Sequence, residues 1–251
     1  MSSSKKALVV GINYRGTSNE LSGCIDDANN VVSMLLTKGY SQDNIIVMTD
    51  DTDLKPTRNA ILKALLDLLL SGASKLYFHY SGHGTSIRDT NNDELDGYDE
   101  ALVPIDFMES GMIIDDEIKG LLCCLTESQS LFCVLDCCHS GSGLDLKYNI
   151  FERVGSRQVV LVEDKKETPT RGNCIMLSGC LDNQTSADTY EEGQSQGAMT
   201  YGFLKALAEP SIKTYEELIV GIRAILKTKN YSQIPSLSSG KSFNLKSVVS
   251  F

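Results

Sequence analysis

The sequence predicts an α/β fold in which a mainly parallel central sheet carries helices on both faces. Three observations lead there. Short apolar runs alternate with segments of helical spacing through the first half of the chain, the order expected of β-α-β units. Several of those runs are continuous, as in strands covered on both sides. A length of 251 residues, with 41% hydrophobic and 22% charged residues, gives one large domain enough material for a substantial core.

Ala7-Leu8-Val9-Val10-Gly11-Ile12 reads as a buried strand ended by Asn13. Residues 23–38 put Ala28, Val31, Val32, Leu35 and Leu36 on one helical face and stop at Gly39. Asn44 to Met48 is a second strand. Lys55-Pro56-Thr57 opens a helix whose apolar face includes Ile61, Leu62, Leu65, Leu66 and Leu69, with Gly72 past its end. The next strand is expected to run from Leu76 through His83. A polar loop, a strand at 101–104, a helix at 115–125 and a strand from Leu131 to Cys138 follow. Residues 163–173 are polar and turn-rich, an exposed loop. Beyond them the pattern predicts strand 174–179, helices near 198–208 and 214–228, and a last strand near 243–249. With no internal repeat and no second fold, residues 1–251 read as a single domain with a nickable middle.

The formal charge of -10 argues against nucleic acid and fits cationic substrates or bound cations. No apolar run reaches membrane-span length, and Met1-Ser2-Ser3-Ser4-Lys5-Lys6 leads into a strand rather than a signal-peptide core. The expectation is a soluble, cytoplasmic protein without a membrane partner. Eight cysteines in such a chain are expected to be reduced thiols, and no C-x-x-C pair gives zinc-ligand spacing.

In open α/β sheets, chemistry gathers beyond the carboxyl ends of the strands. Two strands end there in reactive groups. One closes in Leu135-Asp136-Cys137-Cys138-His139-Ser140-Gly141, the other in Tyr80-Ser81-Gly82-His83-Gly84. Strand alternation sets Asp136 and Cys138 on one face and Cys137 on the other; His79, Ser81 and His83 share a parity. A thiol and an imidazole on glycine-flanked strand ends suit nucleophilic catalysis, since the imidazole takes the thiol proton and returns it to a leaving amine. Backbone N–H groups at Gly84 and Cys138 are the expected oxyanion donors. His79 and His83 stand about 13 Å apart along an extended strand, too far for one metal ion, so His79 reads as a core residue.

On these residues the chain resembles a metacaspase, one of the caspase-like cysteine peptidases. Both catalytic signatures match, as do Ser22-Gly23-Cys24-Ile25-Asp26-Asp27-Ala28, Asp96-Gly97-Tyr98-Asp99-Glu100, Ile113-Ile114-Asp115-Asp116-Glu117, Ser178-Gly179-Cys180 and Gly197-Ala198-Met199-Thr200-Tyr201. The resemblance implies a caspase-like three-layer sandwich, with a large-subunit-like region over about 1–162, the exposed loop at about 163–173 and a small-subunit-like region over about 174–251. It implies Cys138 as nucleophile, His83 as its partner, and cleavage of peptide or protein substrates after Arg or Lys by a monomer. It assigns Cys24, Asp27, Ser81 and Asp136 to the pocket for that basic residue. It also implies activation by Ca2+ held by Asp99, Asp115, Asp116 and Asp145, and self-cleavage at basic sites such as Arg157, Lys165, Lys166 and Arg171. No Pro-rich or zinc-finger segment precedes Leu8, so a type I-like catalytic core without a prodomain is expected. The alternative is a caspase-fold binding or scaffold protein with little peptidase activity.

Overall fold

The computed structural model describes residues 4–88, 97–137, 144–152, 159–179, 188–191, 194–231 and 233–251. The first half contains β1 (Lys5–Gly11), α1 (Cys24–Thr37), β2 (Ile45–Thr49), α2 (Arg58–Leu69), β3 (Lys75–Ser81), β4 (Gly84–Arg88) and β5 (Tyr98–Leu102). Then come α3 (Phe107–Ser110), β6 (Ile113–Ile114), α4 (Asp115–Leu122), β7 (Ser130–Asp136), β8 (Tyr148–Glu152), β9 (Val159–Glu163) and β10 (Asn173–Ser178). The chain finishes with β11 (Asp188–Glu191), β12 (Gln194–Gly197), α5 (Ala198–Ala208), α6 (Tyr215–Thr228) and β13 (Ser236–Ser239).

Eight strands form the central sheet in the order β2-β1-β3-β7-β10-β13-β8-β9. The first five are parallel to one another, and the last three pair antiparallel. Both faces are covered, which is why β3 buries every residue after Lys75. On one face Leu8, Val10, Phe78, Leu131 and Cys133 pack under α2 and α4. On the other, Ala7, Val9, Tyr77, Phe132 and Val134 pack under α1, α5 and α6. The result is the expected three-layer sandwich. No helix among the described residues is long and apolar enough to cross a membrane.

The expected elements differ from the structure in several places. The His83 strand stops at Ser81, because the chain leaves the main sheet there: the His83 carbonyl accepts Val103 N–H at 3.1 Å, and β4 enters a separate antiparallel sheet with β5 and β6. The strand expected at 101–104 belongs to that small sheet, starting at Tyr98 and ending at Leu102 ahead of Pro104. The hairpin of β8 and β9 extends the main sheet where no strand is expected. No strand forms at 243–249. Asn244 instead turns the chain, its side-chain oxygen accepting Lys246 N–H at 2.9 Å and its carbonyl accepting Ser247 N–H at 2.8 Å. The strand that completes the sheet is the serine-rich β13, four buried residues inserted between β10 and β8. After the turn, Phe251 seats its ring 4.9 Å from Phe132 and 5.3 Å from Tyr77.

His79 sits in the middle of β3 with no exposed surface, between Val9 and Val134 in register. Neither ring nitrogen has a hydrogen-bond partner among the described residues. Burial holds its pKa down from 6.5 to about 3, so the ring is neutral. Below pH 6.5 the unfolded chain binds a proton that the folded one refuses, so stability falls as pH drops from 6.5 toward 3. A slope of up to about 1.4 kcal/mol per pH unit is expected from this one group. Urea midpoints measured across that range should fall for the wild type and fall less steeply for His79→Leu.

Candidate active site

The carboxyl ends of β1, β3 and β7 line up in one row, with Gly11 opposite Ser81 and Ser81 opposite Asp136. This register decides what meets at the rim. A side chain at Gly11 would put its Cβ 2.2 Å from the Cys24 carbonyl oxygen and 2.9 Å from the Ala28 Cβ, so α1 docks there only against glycine. The start of α1 is fixed by Asn13, whose side-chain oxygen accepts Cys24 N–H at 2.9 Å and Ile25 N–H at 3.2 Å. Asp27, one turn in, then lies over Ser81, whose hydroxyl donates to Asp27 Oδ2 at 2.7 Å.

The N-terminus of α5 closes the same spot from the second half of the chain. Gly197 N–H donates to Asp27 Oδ2 at 2.9 Å, and Thr200 N–H donates to Asp136 Oδ2 at 2.7 Å. A helix N-terminus carries roughly half a positive charge, which offsets part of the charge of two carboxylates. Gly197 has ordinary backbone angles, φ -68 and ψ 137. It is needed for space: an added Cβ would lie 2.3 Å from Asp136 Oδ2 and 2.8 Å from Asp27 Oδ2. Thus Asp27, Ser81 and Asp136 are brought together, with Cys24 three residues before Asp27 at the start of α1, all buried, and the two carboxylates also serve as anchors for α5.

His83 follows β3 in the crossing to β4. Its Nε2 is 2.8 Å from the Asn19 carbonyl oxygen. A carbonyl only accepts, so Nε2 carries the proton and Nδ1 keeps its lone pair for use as a base. The Tyr14 ring lies 4.8 Å from the imidazole, centroid to centroid. Gly84, beside it, is half-buried at the start of β4.

Cys137 is buried, 1% exposed, in the core under α2 and α4, beside the Tyr14 and Tyr80 hydroxyls. Asp136 faces the opposite way, toward α1 and α5, as strand alternation requires. Cys138 and His139 lie outside the described residues, as does Arg157. Lys165, Lys166 and Arg171 are exposed in the segment between β9 and β10.

The four aspartates expected to hold calcium are linked through α4. Asp99 on β5 and Asp115 at the start of α4 are both buried. Burial pushes the Asp115 carboxyl up to about 6; the Asp116 and Glu100 amides oppose this and the charge of Asp99 adds to it. Asp116 follows on the helix. Asp145, at φ 41, reaches α4 through Lys119, whose Nζ lies 3.7 Å from Asp145 Oδ2 and 2.7 Å from Glu167 Oε2. Crowded carboxylate oxygens suit a hard cation. Among the described residues no group of three His, Cys, Asp or Glu side chains is arranged to hold a metal ion, and the Lys119 ammonium stands beside Asp145.

Sequence reasoning missed the main-chain groups of Gly197 and Thr200, the Asn13 cap and the Asn19 carbonyl. The signals available for the first two were the glycine at the head of a helix and the motif match over 197–201; the rest are long-range contacts that no local spacing encodes.

Comparison with known proteins agrees with this arrangement. Residues 5–147 match the sequence profile described as "Metacaspase, peptidase C14 domain". The chain is 39% identical to Metacaspase-1 of Candida albicans and 37% identical to Metacaspase-1 of Mycosarcoma maydis, alignments that take in 94% and 95% of it. It spans 64% and 71% of those two proteins. Among solved structures, protein GSU0716 from Geobacter sulfurreducens superposes with a TM-score of 0.70 at 22% identity, over 98% of this chain and all of that one. Caspase-1 from Spodoptera frugiperda gives a TM-score of 0.61 at 10% identity, over 93% of this chain and 85% of that one. The last two similarities establish the caspase-like fold.

Two glycine substitutions test the geometry of the rim. Gly197→Ala should destabilise the protein by about 1–3 kcal/mol, as overpacking against two buried carboxylates requires. Gly120→Ala, on the exposed side of α4 where an added Cβ meets nothing within 4 Å, should stabilise it by about 0.5–1 kcal/mol. Urea denaturation of the two variants reads both signs.

Proposed function

The chain belongs to the metacaspase family, and on that premise we propose that it is a cysteine endopeptidase cutting after arginine or lysine, with Cys138 as nucleophile and His83 as base. The observation that carries the reading is the His83 imidazole, held through Nε2 by a main-chain carbonyl just past β3, next to the strand that leads into Cys138. The thiol gives its proton to Nδ1 of His83 and the sulfur attacks the scissile carbonyl. N–H groups of Gly84 and Cys138 receive the oxyanion. The imidazolium returns its proton to the leaving amine, and a water deprotonated by the same Nδ1 releases the acyl group.

The preference for a basic residue rests on Asp27 and Asp136. Two carboxylates at one spot, only partly offset by a helix end, favour a guanidinium or ammonium and disfavour an acidic side chain. Calcium would be held by Asp99, Asp115, Asp116 and Asp145, where its charge would offset the burial, and the smaller repulsion from Asp99, that raise Asp115. The ion supplies charge neutralisation; it meets competition from Lys119 for Asp145. Asp145 stands seven residues after Cys138 in the chain, so calcium binding there would be coupled to the nucleophile. Self-cleavage is assigned to the basic residues Arg157, Lys165, Lys166 and Arg171, three of which are exposed.

One assay tests these points separately. The purified chain is given fluorogenic peptidyl amides ending in Arg, Lys or Asp, with calcium or with excess chelator. The expected result is hydrolysis of the Arg and Lys amides in calcium, none of the Asp amide, loss of activity in Cys138→Ala and loss in chelator that calcium restores. Activity in Cys138→Ala overturns the nucleophile, equal rates in chelator overturn the calcium role, and preference for Asp overturns the pocket. No hydrolysis under any condition points instead to a binding protein of the same fold.

A further inference from the structure

Tyr14 and Tyr80 are 1% and 0% exposed, and their hydroxyls lie 3.2 Å apart beneath the turn that carries His83. Tyr14 Oη donates to the Val103 carbonyl at 2.6 Å and accepts the His83 N–H at 2.9 Å. Tyr80 Oη is 2.9 Å from both the His83 and Val103 carbonyl oxygens and accepts Val103 N–H at 3.2 Å. Since Tyr14 already serves Val103, the single hydroxyl hydrogen of Tyr80 is available to His83. One phenol therefore grips the peptide group before the His83 Cα, and the other grips the peptide group after it.

The second grip reaches further than His83. In a trans peptide the carbonyl and the next N–H point in opposite directions, and no cis peptide occurs among the described residues. With the His83 carbonyl fixed on Tyr80 Oη and on Val103 N–H at 3.1 Å, the Gly84 N–H is turned away from β5. Gly84 faces Leu102 in register, and because Val103 N–H bonds to His83, Gly84 keeps its own N–H out of that ladder.

Three features show that this arrangement is built in. Tyr14 occupies a left-handed backbone position, φ 51, which is uncommon for an aromatic residue. A Cβ on Gly82 would lie 2.8 Å from Tyr80 Oη and 3.0 Å from Tyr14 Oη, so only glycine lets both hydroxyls reach the main chain here. Burial pushes both phenols above their usual range, which keeps them protonated as donors.

We propose that Tyr14 and Tyr80 are positioning residues of the reaction, a coupled phenol pair that fixes the His83 imidazole and aims the Gly84 N–H at the oxyanion. The proposal rests on the reading of His83 and Gly84 as catalytic groups. Its test compares Tyr14→Phe and Tyr80→Phe with the wild type in three measurements. In steady-state hydrolysis of an Arg amide, kcat should fall about 10- to 100-fold in each variant, less than the direct loss of an oxyanion donor costs, while KM stays within about two-fold. The pH profile of Cys138 alkylation by iodoacetamide, read site-specifically by mass spectrometry, should shift in Tyr14→Phe, because the base is no longer held. In the unmodified wild type, the His83 amide should be protected from hydrogen exchange although it lies outside a strand.

Wild-type kcat and an unshifted alkylation profile in both variants overturn the proposal, as does a rapidly exchanging His83 amide in the wild type. If neither phenylalanine variant folds, the wild-type amide decides. A wild type that hydrolyses nothing speaks against the peptidase reading alone, and alkylation and exchange still judge the brace.

Discussion

Two carboxylates buried at the head of one helix hold the active-site end of this fold together. Burying an ionised carboxylate costs several kcal/mol unless it is well paired. Here groups distant in sequence meet much of that requirement. Asp27 needs the Ser81 hydroxyl and the Gly197 N–H, and Asp136 needs the Thr200 N–H. None of these contacts forms unless β3 and β7 pair in the register that sets Ser81 opposite Asp136, and unless α1 lies close on Gly11. The glycines at 11 and 197 leave room for this convergence. The second half of the chain is thereby tied to the first by charge-assisted hydrogen bonds, worth about 1.5–3 kcal/mol each.

The same rim divides its work between the two faces of the sheet. Asp136 and Ser81 point toward α1 and α5, where the acidic pair gathers. The neighbouring Tyr80 and Cys137 point toward α2 and α4, where two phenols support the His83 turn. A period-two alternation thus puts the acidic pair and the two phenols on opposite faces of one layer of backbone. The chain can do this because β3 ends at Ser81: a strand continued to His83 would set the imidazole on the acidic face. Leaving the sheet at Gly82 lets His83 swing to Asn19 on one side and β5 on the other.

Much of this was legible in the sequence. Continuous apolar runs gave the parallel strands, and helical spacing gave α1, α2, α5 and α6 close to their observed bounds, because burial on two faces or one leaves a periodic record. Alternation alone separated Asp136 from Cys137. What the sequence hid are the elements whose burial is polar or whose partners are remote. The strand β13 reads as a loop because its serines are masked as surface, yet Ser239 is buried and its hydroxyl donates to the Cys174 carbonyl at 3.0 Å. The tail at 243–249 has the apolar content of a strand but spends it on packing against the helical face. Tyr14 and Tyr80 look like ordinary core aromatics, since nothing local marks a hydroxyl whose partner lies on another strand. The aspartates at 99, 115, 116 and 145 come to one helix, but Lys119, a residue with no motif to announce it, takes a place among them.

On the proposed function the buried carboxylates read the charge of a substrate as well as anchoring α5. The most direct measurement is kcat/KM for a peptidyl arginine amide against its citrulline counterpart, which has the same shape without the charge, in the wild type and in Asp136→Asn. Asparagine retains an oxygen for the Thr200 N–H, so α5 stays anchored while one charge is lost. The wild type should strongly prefer arginine, and Asp136→Asn should lose most of that preference while folding normally. An arginine-to-citrulline ratio that is unchanged in the variant would contradict that reading of the carboxylates.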